Sequence, residues 1–199
     1  MKVLIVYCHP SSNSFTYQVK ESFIQGLNEA NHSYIVSDLY GDHFNPVMSE
    51  KEYLREGFYH LDEPIENDVY QEQMKINQAD VIVFIYPDFW TASPAMLEGW
   101  FQRVWTYGFA YGDHPTMKCL DKAIFLMTMG GTLHDQLRRD QVEAMKTIMI
   151  GDRMNDRVKA CEFYVFDRMT RGYDNEENRK KRMERFTKQA FEIAKNIDK

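Results

Sequence analysis

The sequence predicts an α/β protein built on an open, doubly wound sheet of five parallel strands in the order 2-1-3-4-5. Three observations predict it. Short, unbroken apolar runs such as Val3 to Cys8, Val81 to Tyr86 and Ala123 to Met129 suit strands buried on both faces. Between them lie segments whose apolar residues recur at helical spacing. Strand, helix and strand follow one another at the length of a right-handed βαβ unit, and this strand order is the common solution for five such strands.

The elements run as follows. Val3 to Cys8 is the first strand, and the polar turn His9 to Ser14 follows it. Phe15, Val19, Phe23, Ile24 and Leu27 mark one face of a helix with Ser14 as its N-cap. Ser33 to Tyr40 reads as strand two. The stretch from Gly41 to about Glu63 is irregular, with short acidic helical turns around Glu50 to Glu56, and a connection this long is often functional. Glu66 to Gln78 is a helix leading into the third strand, Val81 to Tyr86, which Pro87 stops because it has no N–H to donate. An aromatic turn, Phe89-Trp90, leads to a helix with Ser93 as N-cap and Pro94 at the first helical position. Leu97, Trp100, Phe101, Val104 and Trp105 are that helix's apolar face. Ala123 to Met129 is strand four, Leu137 to about Met149 a helix, Cys161 to Phe166 strand five, and Glu176 to Ile197 a charged terminal helix.

A chain of 199 residues is long enough for one domain with a sizeable core and too short for two ordinary ones. The net charge of −6, with no basic block, argues against nucleic acid as a partner. Three scattered cysteines with no Cys/His cluster indicate neither a disulfide framework nor a zinc site, and reduced thiols fit the cytoplasm. The apolar start is too short for a signal-peptide core or a membrane span.

In the expected topology the carboxyl ends of strands one, three and four face one crevice, so three loops converge there. His9 to Thr16 is rich in hydroxyls and abuts a helix N-terminus, which suits a phosphate. Pro87 to Ser93 offers aromatic faces and backbone amides. Thr128 to Thr132 holds Gly130-Gly131, which lets backbone approach a ring edge. Phosphate on one side and a planar ring on the other describes a flavin nucleotide. Each piece has an ordinary reading: Ser14 as a simple cap, His9 as a turn residue, Phe89 and Trp90 as core or dimer contacts, the glycine pair as a turn. Only their convergence at one sheet edge favours a ligand site.

Competing sites are missing their residues. There is no GxGxxG after strand one and no P-loop lysine motif. No GxSxG elbow is present. Asp88 and Thr128 would suit a phospho-acceptor receiver, but strand one ends in Cys8-His9 rather than an acidic pair, and Asp167-Arg168 after strand five brings no lysine.

The matching segments are Val3 to Pro10 with Ser14-Phe15-Thr16, Ser37 to Tyr40 with Phe44-Asn45-Pro46, Ala79-Asp80, Pro87, Trp90, Pro94 to Val104, Gly108 to Tyr111, and Thr128 to Gly131. Through them the chain resembles the NAD(P)H:quinone oxidoreductase family of flavodoxin-like flavoproteins. The resemblance implies that His9, Ser14, Phe15 and Thr16 hold a flavin phosphate. It implies that Pro87, Asp88, Phe89, Trp90 and Thr91 line the ring and that Thr128, Met129, Gly130 and Gly131 meet its other edge. It further implies a homodimer, with the helix from Pro94 and the Phe109 to Tyr111 segment near the partner's flavin. The implied reaction is ping-pong: NAD(P)H reduces the flavin, and a quinone or similar small acceptor takes the hydride. FMN is expected over FAD, because the sequence does not carry the longer C-terminal extension of the larger members.

Two departures bear on substrate and rate. Asp88 stands where members often have an apolar residue. After the glycine pair, where larger members carry an assisting tyrosine and histidine, this chain reads Thr132-Leu133-His134-Asp135 without a tyrosine, which leaves His134 as the catalytic candidate. These departures motivate an alternative reading, a regulatory subunit of a membrane transporter with little quinone turnover.

Overall fold

The computed structural model describes residues 1–199. Its five strands are β1 (Lys2–Tyr7), β2 (Ser33–Asp38), β3 (Val81–Pro87), β4 (Lys122–Thr128) and β5 (Cys161–Phe166). All neighbours pair in parallel, in the order β2-β1-β3-β4-β5. The expected topology is therefore the observed one. The six α-helices are α1 (Phe15–Glu29), α2 (Glu50–Phe58), α3 (Asn67–Gln78), α4 (Ala95–Val104), α5 (Gln136–Lys146) and α6 (Glu176–Lys195).

The pleat sorts each strand onto two cores. Val3, Ile5 and Tyr7 of β1 join Val81, Val83 and Ile85 of β3 beneath α1 and α6. Leu4, Val6 and Cys8 join Ile82, Phe84 and Tyr86 on the opposite face, under α3, α4 and α5. Successive strand side chains point to opposite faces, so a strand covered on both sides must be apolar throughout. That is why the runs read as continuous rather than alternating. On the first face Gly26 lets α1 and α6 close up: a Cβ there would sit 2.3 Å from the Phe191 carbonyl oxygen.

Element ends differ from the sequence expectation where a side chain intervenes. β2 ends at Asp38 rather than Tyr40, because Asp38 Oδ1 accepts the Gly41 amide at 2.9 Å and turns the chain. Pro94, not Ser93, occupies the N-cap of α4; the Ser93 hydroxyl instead donates to Glu98. The segment after α5 continues as a π-helix over Thr147–Met154 and stops at Asn155, which adopts φ 39°.

The long connection 41–66 is ordered by packing rather than by propensity. Ser49 and Glu52 form a reciprocal capping box at the start of α2. Arg103 of α4, its side chain 3% exposed, donates to Glu52 and Asn45 O, each at 2.6 Å, and to both Asp68 oxygens. Gly99 makes room for this connection, since a Cβ there would lie 2.1 Å from the Pro46 carbonyl oxygen.

Candidate active site

The three loops predicted to converge do converge. β1 and β4 both flank β3, and Pro87 is paired with Thr128 at the carboxyl edge. Asp88 N donates to Thr128 O at 2.7 Å, which joins the second loop to the third. The His9 and Phe89 rings lie 6.4 Å apart, which sets the first loop beside the second. Between them opens a cleft of about 360 Å³, in the range of small-ligand sites.

The hydroxyl-rich wall is the N-terminus of α1. Ser14 caps it in extended conformation, accepting from Tyr17 N at 3.0 Å and keeping its own O–H to donate. Thr16, in the first turn, is 2% exposed, and its hydroxyl lies 2.7 Å from that of Thr128. Phe15 lines the cleft and packs on Phe186, ring centroids 6.5 Å apart. Burial lowers the pKa of His9, with a backbone bond to Ser11 opposing. His9 Nδ1 lies 3.0 Å from the Ser11 amide nitrogen and 3.1 Å from the Ser11 carbonyl oxygen, so the turn's own backbone fixes the ring beside the cleft.

The opposite wall is Pro87, Asp88 and Phe89, with Thr128, Met129 and Gly130 below. Asp88 lines the cleft, and its Oδ1 is buried without a hydrogen-bond partner. Burial raises its pKa, against the opposing pull of the Thr91 amide, the Arg138 charge and the Ala92 amide. The nearby Cys8 is no thiolate: burial pushes its pKa up to about 12.

Four residues singled out in the sequence stand outside the cleft. Trp90 and Thr91 take left-handed conformations, φ 56° and 61°, and the Trp90 side chain is 99% exposed, turned away from the cleft lining. Thr91 faces a separate hollow of about 150 Å³ shared with Glu98 and Arg153. Gly131 contributes its carbonyl, which accepts from Arg168 N at 2.7 Å. His134 is exposed in the loop before α5, its amide bonded to Thr132 Oγ1 and its carbonyl accepting from Arg139. Within this chain His134 reaches no part of the cleft lining, because the loop is held by its own short-range bonds.

Three lining residues escaped the sequence: Met169, Thr170 and Arg179. They come from the loop after β5 and from α6. That loop is zipped to the glycine loop by Met169 N→Met129 O at 3.1 Å and Thr170 N→Gly130 O at 3.4 Å. Gly130 is needed for this fit, since a Cβ there would meet Thr170 Oγ1 at 2.4 Å. Arg179 supplies the cation that the hydroxyl-rich turn lacks; its Nε donates to Met169 O at 3.1 Å. The signal was the strand order itself, which sets the β5 loop beside the β4 loop.

A family model for the flavodoxin-like fold matches residues 1–190. Over the whole chain the structure is similar to the NAD(P)H:quinone oxidoreductase from Methanothermobacter marburgensis, at 37% identity and TM-score 0.90, covering 96% of that chain. The chain belongs to the flavodoxin-like NAD(P)H:quinone oxidoreductase family. Within that family, the guinea-pig (Cavia porcellus) NAD(P)H dehydrogenase [quinone] 1 is 35% identical over 123 residues, 55% of this chain and 45% of that relative. The chain thus spans about half the length of this curated relative. An FMN-dependent NADH-azoreductase from Bacillus anthracis, in complex with FMN, shares the fold at 17% identity and TM-score 0.69, covering 97% of this chain and 99% of that one. Nothing in these comparisons supports the transporter-subunit alternative.

Proposed function

We propose that this chain is a flavin-dependent NAD(P)H oxidoreductase with a quinone or similar small molecule as acceptor. The single observation that carries this is the convergence, in one cleft, of a hydroxyl-rich helix N-terminus with Arg179 on one side and the Pro87 to Phe89 turn facing the glycine loop on the other. A phosphate fits the first wall: free α1 amides, the Ser14 hydroxyl and the Arg179 guanidinium are all donors of the kind an anion needs, with the His9 imidazole beside them. A planar ring fits the second wall, where Gly130 lets Thr170 close against the glycine loop. Bound there, a flavin supplies the two-electron carrier between nicotinamide and acceptor. The residues around it bind, orient and partly dehydrate the reacting groups.

FMN is the preferred flavin, a reading supported by the cleft's size and by the FMN carried by the azoreductase neighbour. A homodimer is supported by the fully exposed Trp90 and the half-exposed Phe89 beside the cleft, an apolar pair that a second copy would cover. Three free cysteines fit a reducing compartment, and we assign the protein to the cytoplasm. No helix is long and apolar enough to cross a membrane.

The test is direct. The purified protein is expected to be yellow, to release its chromophore on heating, and to oxidise NAD(P)H when menadione is present. Bound flavin with no acceptor-dependent turnover would defeat the enzyme reading.

A further inference from the structure

Asp88 is the only acidic residue lining the cleft. Its Oδ1 is buried without a partner, whereas the buried Glu72 has each oxygen engaged, by Trp100, Ser37 and Lys75. An unpartnered buried carboxylate oxygen is costly, so at the cleft wall it is completed by a proton, a water or a donor on a ligand. The groups around it decide which. From β3, the Tyr86 hydroxyl is itself buried and unpartnered. From α4, Glu98 is occupied by Ser93 and by Arg153 at 2.6 Å. From the β1–α1 turn, His9 is kept neutral by burial. From α5, Arg138 acts on Asp88 through its charge alone, while its Nη1 donates to Gln141 at 2.9 Å. From α6, Arg179 lines the same cleft but is directed to Met169 O and Glu176. No cation is hydrogen-bonded to Asp88, and burial outweighs the two amides and Arg138.

We infer that Asp88 is the proton store of the site: its carboxyl takes up a proton at Oδ1 as electrons enter the cleft and gives it to the acceptor as they leave. The inference rests on the flavin reading above. The balance requires a proton beyond the hydride. NAD(P)H gives up a hydride, two electrons and one proton, and leaves as NAD(P)⁺. A quinone needs two electrons and two protons to become the hydroquinone. The second proton comes from Asp88, which takes it from water when the next pair of electrons enters the cleft. A neutral acid also removes the charge conflict that a carboxylate would have with an electron-rich ring.

The experiment is anaerobic reduction of the flavin-loaded protein between pH 7 and 9, with the midpoint potential followed spectroscopically and proton uptake followed with an indicator dye. Wild type is expected to take up two protons for two electrons. Asp88→Asn and Asp88→Leu are expected to take up one, so that the potential falls about half as steeply with pH. Variants that bind flavin and keep the wild-type slope overturn the inference while leaving the flavin reading intact. So does a wild-type protein that takes up a single proton, a result that needs no variant to fold. A wild-type protein that binds no added FMN overturns both.

Discussion

Thr16 and Thr128 are 112 residues apart in sequence, yet their hydroxyl oxygens lie 2.7 Å apart, both side chains buried. One hydroxyl is in the first turn of α1 and the other is the last residue of β4. This bond ties the hydroxyl-rich wall of the cleft to its floor. Cutting it on one side leaves a buried hydroxyl without a partner, which costs about 1–3 kcal/mol. Thr16→Val and Thr128→Val should each lose stability of that order in urea unfolding. The double variant should lose less than the sum, because neither hydroxyl is then stranded.

Arg179 is the cation of the cleft. If it faces a phosphate, its loss removes a charge-assisted bond worth about 1.5–3 kcal/mol, a tenfold to hundredfold weaker affinity. Arg179→Ala should weaken FMN binding by that factor and leave riboflavin, which has no phosphate, almost unchanged. Fluorescence titration with both ligands is the check; equal weakening of the two would remove the phosphate role.

Gly130 and Thr170 form a steric pair across the zipped loops. Gly130→Ala puts a Cβ 2.4 Å from Thr170 Oγ1, so the loops must part and flavin binding should fall sharply. Thr170→Ala removes the clashing oxygen. The double variant should therefore recover binding that the single Gly130→Ala variant loses. Failure of that rescue would place the glycine requirement elsewhere.

Asp88 gives the fold a pH dependence of defined sign. Burial raises its folded-state pKa above the unfolded value. The folded protein therefore holds a proton that the unfolded chain has lost. Its contribution is fully present below the ordinary carboxylate range and declines as pH rises through the raised value. Asp88→Asn removes the decline. In the flavin-free protein the variant should match wild type at acid pH and melt higher at neutral pH, by thermal unfolding across that range.

Arg103 holds the 41–66 connection to α4 through Glu52, Asn45 and Asp68. Arg103→Met keeps the stem and removes the charge. With Asp68 40% exposed in its side chain, solvent offsets part of the loss; a destabilisation of about 1.5–3 kcal/mol is expected by urea unfolding. Proteolysis should then begin within α2.

The strands and their order were legible because a strand covered on both faces has to be apolar without interruption, and β1, β3 and β4 are. Ser14 was legible as a cap, and it caps α1. The first and second loops were legible as neighbours, because strands one and three pair in that order. What could not be read is what depends on distant pairing. Arg179 looks like one charge among many on α6, and only the bond to Met169 O turns it toward the cleft. Trp90 read as a ring contact, but the two successive left-handed residues at 90 and 91 swing it into solvent. Ser93 read as a cap, but a carboxylate five residues on, Glu98, captures its hydroxyl.

The strip of backbone bonds between the glycine loop and residues 168–170 has a consequence for biosynthesis. A nascent chain that has emerged only through β4 already contains both walls that the sequence advertises. It has no Thr170 to lie against Gly130 and no guanidinium to close the anionic end. Cofactor capture must therefore wait for the last strand and helix to dock, so a ribosome-stalled fragment ending before β5 should stay colourless where the released protein turns yellow.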